Sequence, residues 1–166
     1  ITSQSYRFEK TIEVPETPIA APGIGPLMLG DRVQPAPTDL SSLQGLIFTF
    51  FGYSFTPMLE RTLHPGEKMN VLYQIYYPPD KARQEGGESL TLEYRFLGVS
   101  GTGAPIKTVT DSAAKGKVNA AGCLLTYKQL PLDDLLAGRY TLVVAAKEPS
   151  GRMVASSSIV FNLERR

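Results

Sequence analysis

The feature that most constrains this chain is its closing stretch, Leu130 to Leu163, where apolar residues recur at every second position on either side of a Glu148-Pro149-Ser150-Gly151 connection. Successive side chains of an extended backbone point to opposite faces, so period-two alternation marks a half-buried strand. Tyr140, Leu142, Val144 and Ala146 share one face of the first strand, and Ile159, Phe161 and Leu163 one face of the second. Two such strands joined by turn-forming residues read as a hairpin. Gly138 opens it, and Tyr140 follows two residues later. A buried phenol needs a polar partner, and the backbone between Leu135 and Gly138 is the nearest source of one, so Tyr140 and Gly138 are expected to form a structural corner.

The same punctuation continues upstream. Candidate strands run over Leu46–Phe55, Lys68–Tyr77, Ser89–Leu97, Pro105–Thr110, Lys117–Tyr127, Arg139–Lys147 and Met153–Leu163. Seven short strands in little more than a hundred residues predict an all-β, immunoglobulin or fibronectin type III-like Greek-key β-sandwich over residues 46–166. Met69, Val71, Tyr73 and Ile75, with Leu90, Leu92, Tyr94 and Phe96, complete the expected inward faces. Residues 1–45 read as an N-terminal extension. Tyr6–Val14 suits an edge strand, Leu27–Leu29 a short one, and the prolines and glycines between and after them favour irregular chain draped over the sandwich. Leu132 to Leu136 can form a helical turn with Asp133 and Asp134 at its start.

Composition narrows the function classes. Seventeen basic and sixteen acidic residues leave a formal charge of +1, spread without a basic run, which disfavours nucleic acid and anionic membranes as partners. The most apolar run, Leu46 to Phe55, is about half the ~18 residues a spanning helix needs, so no membrane insertion is expected. Cys123 is the sole cysteine; no intrachain disulfide can form, and a buried thiol acting as a small apolar side chain is expected. The chain opens at Ile1 without a leader, and the expectation is a fragment of a longer precursor whose export signal lies outside it.

Few residues offer chemistry. His64 is the only histidine and falls in a Leu63-His64-Pro65-Gly66 turn, where it reads as a solvated turn residue rather than a catalytic base or ligand. Gly52-Tyr53-Ser54-Phe55-Thr56 starts like a nucleophile elbow without its closing glycine, and Ser112-Ala113-Ala114-Lys115 lacks the companion motifs that give Ser-x-x-Lys meaning. The glycine-rich Gly98–Pro105 joins two strands and reads as a hairpin loop, not a phosphate loop. Asp133 and Asp134, with Asp111, Glu148 or Asp31, can offer oxygen ligands to calcium, but capping a helical turn is the better reading. Asp39-Leu40-Ser41-Ser42-Leu43 misses the last serine of a von Willebrand A metal site. No enzyme, cofactor or metal site is therefore expected. Tyr53, Tyr76, Tyr77 and Tyr127, with Phe51, are aromatics that alternation does not oblige to be buried. They are candidates to contact a partner or stack on sugar rings, or else to lie under the extension.

Pro65-Gly66-Glu67-Lys68-Met69-Asn70-Val71-Leu72-Tyr73-Gln74-Ile75-Tyr76, together with Leu130-Pro131-Leu132 through Leu135, Gly138, Tyr140 and Leu142, resembles the C-terminal sandwich region of secreted bacterial proteins that carry a GWxTD or von Willebrand A-related region. The resemblance covers Leu27 to Leu163, and the GWxTD signature itself is not in this chain. It implies an exported, non-catalytic setting: periplasmic, cell-surface or secreted. The leading expectation is an interaction or spacer module whose partners are other proteins or neighbouring domains of one precursor. The alternative is a carbohydrate-binding module using exposed tyrosines, and a row of exposed aromatics across one sheet would favour it.

Overall fold

The computed structural model describes residues 22–36, 48–50, 53–58, 60–78, 90–98, 103–112 and 122–164. Among these the chain is all β, without a helix, and forms two sheets in a sandwich-like arrangement, the second curled. The first sheet contains β1 (Gly23–Ile24), β2 (Met28–Pro35), β3 (Phe48–Phe50), β4 (Tyr53–Pro57), β6 (Lys68–Tyr76) and β9 (Cys123–Pro131). Strand β6 is its centre: β9 pairs with it over nine positions, while β1 and β2 pair with its C-terminal and middle parts. The second sheet has the order β5 (Thr62–Leu63), β11 (Met153–Leu163), β10 (Gly138–Lys147), β7 (Thr91–Leu97), β8 (Lys107–Ser112).

Alternation becomes packing where the sheets face each other. Val71 and Ile75 of β6 meet Leu92, Tyr94, Leu142 and Val144 of the second sheet in one buried cluster. Fully burying a side chain of this size is worth about 1.5–3 kcal/mol. Phe161 ties the closing hairpin into that core, stacking on Tyr140 with ring centroids 5.7 Å apart and meeting Phe96 edge-on at 6.2 Å. The hairpin turns through Glu148–Gly151, where the Gly151 N–H donates to the Glu148 carbonyl at 2.8 Å and Gly151 takes a φ of 84°, a conformation that suits glycine.

Several strand limits differ from expectation. The run from Leu46 to Phe55 is not one core strand: Phe48–Phe50 and Tyr53–Pro57 are two strands that pair antiparallel. Strand β8 starts at Lys107 rather than Pro105, because proline has no N–H for the ladder. Strand β9 runs to Pro131, not Tyr127, since Leu130 pairs with Met69 and is wholly buried. A two-residue strand, Thr62–Leu63, was not expected; it lies parallel to the end of β11. Asp133 and Asp134 sit in a tight turn closed by the Leu135 N–H on the Leu132 carbonyl at 3.0 Å, so no helical turn forms there.

The extension also takes more part in the sheet than its composition indicates. Gly23–Ile24 is a strand despite its flanking prolines, and Leu27–Leu29 grows into the eight-residue β2, which lies between β6 and β4. Gly30 makes this possible. A Cβ there would come within 2.4 Å of the Phe55 ring, so the missing side chain lets the fully buried Phe55 lie across the sheet. Tyr6–Val14, the boundary near Gly45, Phe51, Asp39–Leu43 and the Ser112–Lys115 motif beyond Ser112 lie outside the described residues.

Candidate functional site

The two sides of the sandwich where sheets end are built differently. On one side, β8 and β9 are the outer strands of opposite sheets. Asp111 of β8 pairs with Leu92 and Lys128 of β9 pairs with Val71, both core residues, so both charged side chains occupy inward-facing positions. They meet across the gap at 2.5 Å, Lys128 Nζ to Asp111 Oδ2. Lys107 Nζ adds a second clasp, donating to the Pro131 carbonyl at 2.9 Å and to Asp134 at 3.0 Å. Behind these ties, Tyr73 of the first sheet and Tyr94 of the second share a hydroxyl–hydroxyl bond of 2.7 Å, their rings edge-on.

Burial governs the ionisation of that tyrosine pair. Desolvation holds the Tyr73 phenol far above its usual range, helped by the adjoining Tyr94 and the carboxylate of Asp111. Tyr94 is pushed up to about 12, chiefly by burial and further by Asp111, while the bond from Tyr73 pulls the other way. Both are therefore neutral at physiological pH. Sequence reading put each inward but did not pair them; the available signal was that two phenols on facing core strands need a shared partner.

On the opposite side, among the described residues, β11 has no such ties. The Asn162 N–H donates to the Arg61 carbonyl at 2.9 Å and the Glu164 N–H to the Leu63 carbonyl at 2.9 Å, which fixes the edge toward which even-numbered residues direct their backbone groups. By alternation, the N–H and C=O of Ser156, Ser158 and Val160 point to that same edge. Strand β5 pairs only with Asn162 and Leu163, and it begins directly after Arg61, whose φ is 54°. Strand β1 lies beside β11 but pairs with β6. Among the described residues no strand pairs with this edge from Ala155 to Phe161. Ser156, Ser158 and Val160 are exposed. The eleven residues of β11 include no charge and no proline, the features that usually block strand addition.

The candidate tyrosines divide. Tyr77 lies in the core at 3% exposure and is not a surface contact. Tyr76 and Tyr127 occupy outward positions on the first sheet, the latter 36% exposed. Tyr53, 49% exposed, alternates with Phe55 and so shares that outer face, near its far end beside Pro35. Tyr127 donates to Asn70 Oδ1 at 2.8 Å, and Tyr76 to Gln74 Oε1 at 2.5 Å. Asn70, buried although it faces outward, also accepts from Gln129 Nε2 at 3.2 Å and donates to the Gly30 carbonyl at 3.3 Å. Burial raises the Tyr127 phenol.

Other sequence candidates stay apart. His64 Nδ1 donates to the Glu164 carbonyl at 2.8 Å, and its own N–H is held by Glu67 at 2.9 Å, which makes it a turn residue fastening the chain end. Ser54 is a buried strand residue whose hydroxyl meets the Gln34 carbonyl at 3.4 Å. Asp134 answers Lys107, Asp111 answers Lys128, and Glu148 binds Arg152 through two bonds of 2.8 and 3.0 Å. Among the described residues no three His, Cys, Asp or Glu side chains gather as a metal-holding group, and no helix is long and apolar enough to cross a membrane. Cys123 is buried, and burial raises its thiol. The Tyr140 hydroxyl donates to the Leu136 carbonyl at 2.7 Å. Beside that corner, Gly138, Asn162 and Glu164 line an open depression of about 440 Å³.

No family model matches the chain, and no curated protein matches it. Among solved structures it is similar to the alkylpurine DNA glycosylase AlkC of Pseudomonas fluorescens bound to DNA containing an abasic site analogue, at 14% identity over 87% of this chain and 31% of that one, with a TM-score of 0.44. It is also similar to the soluble domain of PmoD from Methylocystis sp., at 13% identity over 83% of this chain and 90% of that one, with a TM-score of 0.34. The chain thus spans about a third of the glycosylase, and neither likeness carries an argument about what it binds.

Proposed function

We propose that this chain is a non-catalytic interaction or spacer module of a larger exported protein, and that it docks protein partners, or neighbouring domains of the same precursor, by strand addition along β11. The observation that carries the reading is the uncharged β11 edge, where Ser156, Ser158 and Val160 direct backbone groups outward without a described partner. A strand laid there gains main-chain hydrogen bonds in series, the basis of recognition by strand addition. The finer fold type follows the same line of support. With β6 and β9 in one sheet and β11, β10, β7 and β8 consecutive in the other, an immunoglobulin or fibronectin type III-like Greek key is the type that fits. The resemblance to the sandwich region of secreted GWxTD or von Willebrand A-related proteins supports a setting for such a module in the periplasm, at the cell surface or outside the cell.

Ser158→Pro tests the docking. The Ser158 N–H faces away from β10, so proline leaves the internal ladder intact while removing a donor from the open edge. Affinity capture from envelope extracts, followed by hydrogen exchange on the isolated complex, should yield a partner that protects Ser156, Ser158 and Val160 and is lost with Ser158→Pro. A partner held equally by the proline variant would refute docking along β11.

A further inference from the structure

A second surface, independent of the β11 edge, has its own chemistry. The outward positions of β6 and β9 are Lys68, Asn70, Leu72, Gln74 and Tyr76 opposite Pro131, Gln129, Tyr127, Leu125 and Cys123, with Met28 and Gly30 of β2 alongside. Lys68, at one end, is the only charge on these twelve positions; Asn70, Leu72 and Cys123 are buried, while Gln74, Tyr127 and Gln129 are exposed. We infer that this face is a contact surface for a neutral carbohydrate chain, with Tyr76 and Tyr127 as the stacking residues and the side-chain amides of Gln74 and Gln129 as hydrogen-bonding groups for sugar hydroxyls.

Three observations converge on that ligand class. First, both phenols are tethered to neighbouring amides, Tyr127 to Asn70 and Tyr76 to Gln74, so the rings are positioned before a ligand arrives and less freedom is lost on binding. Asn70 is itself fixed to the Gly30 carbonyl, which carries the restraint into the backbone. Second, these tethers use only part of each glutamine. Gln74 gives its oxygen to Tyr76 and Gln129 gives its nitrogen to Asn70, leaving the Gln74 amide nitrogen and the Gln129 carbonyl oxygen without a protein partner among the described residues. A donor pair and an acceptor beside aromatic rings suit a ligand whose rings have C–H faces and hydroxyl rims. Third, the register sets Tyr76 and Tyr127 four ladder positions and one strand apart, roughly 14 Å, a span that calls for an oligosaccharide rather than a single sugar. The single lysine at one end, Lys68, forms no basic track of the kind that would meet an anionic polymer.

Affinity electrophoresis tests this in native gels containing one neutral soluble polysaccharide each: hydroxyethylcellulose, xylan, galactomannan or laminarin, with heparin as the anionic comparison. The expected result is retardation by at least one neutral polymer and none by heparin. Tyr76→Ala and Tyr127→Ala should each weaken it about tenfold with near-UV circular dichroism retaining the folded signature. Tyr127→Phe keeps the ring and should keep most of the retardation, which separates stacking from collapse of the Asn70 network. Migration unaffected by all four neutral polymers, retardation by heparin alone, or retardation that survives both alanine substitutions would overturn the inference. Because Ser158→Pro leaves this face untouched, loss of docking along β11 and loss of glycan retardation are read separately.

Discussion

Where β8 and β9 end their sheets, a lysine and an aspartate occupy inward positions and meet across the gap; where β11 ends its sheet, a strand without charge or proline leaves alternate backbone groups facing outward. Both are edges of one sandwich and face the same hazard, pairing with a stray chain. The first is finished as natural edges commonly are, by inward charge and a cross-sheet clasp, Lys107 to Pro131 and Asp134. The second lacks that protection over Ala155–Phe161, among the described residues. Undefended edges are a liability unless something occupies them, so the difference points to β11 as the side that receives a strand. The comparison also separates stability from recognition: the pinned side carries buried polar order, whereas on β11 the core residues Ile159, Phe161 and Leu163 alternate with exposed positions, Ser156, Ser158 and Val160, that packing does not use.

The largest expected effect lies on the pinned side. Tyr94→Ala empties a site in the shared core and strands the Tyr73 hydroxyl, and should cost about 3–5 kcal/mol in urea unfolding. Alkaline titration probes the same pair without mutation. An unfolded tyrosine ionises near about pH 10, whereas Tyr94 in the folded state is pushed up to about 12 and Tyr73 is raised further. Because the folded state holds these protons more tightly, their contribution is complete below pH 10 and is lost as pH climbs toward and through 12. Denaturation followed against pH should show that loss, and Tyr94→Phe should reduce it without abolishing it, because burial still raises Tyr73.

Smaller effects follow toward the open side. Tyr140→Phe removes the bond to Leu136 while keeping the stack on Phe161, and should lower stability by about 1–2 kcal/mol with the fold retained. Replacing Lys128 by Gln together with Asp111→Asn should cost under about 1 kcal/mol, since both groups are partly exposed. The same double change should nonetheless promote self-association in sedimentation velocity, because it disarms a defended edge. Ser158→Lys, at an exposed position of β11, should shift stability by no more than about 0.5 kcal/mol while suppressing partner capture.

Much of the core was legible because alternation is enforced by burial: Leu92, Tyr94, Leu142 and Val144 read as inward and lie in the core. The strand ends were less legible, since Leu130 after a polar run reveals its role only when its ladder partner, Met69, is known. Tyr77 shows a signal that was present and not followed. It continues the inward series Met69, Val71, Tyr73 and Ile75 by two residues, so alternation already pointed its ring into the core, where it lies, and Tyr76 beside it takes the outward position. The β11 edge was hidden for another reason: which edge a strand leaves unpaired is a property of topology, and β5, the short strand that covers only its end, lies about a hundred residues away in sequence.

Residue-resolved amide hydrogen exchange on the isolated chain tests the open edge most directly. The account predicts alternation along β11: slow exchange at Ser157, Ile159 and Phe161, whose N–H groups face β10, and fast exchange at Ser156, Ser158 and Val160. Equal protection at all six positions would mean that a strand already covers this edge, and would contradict docking along β11.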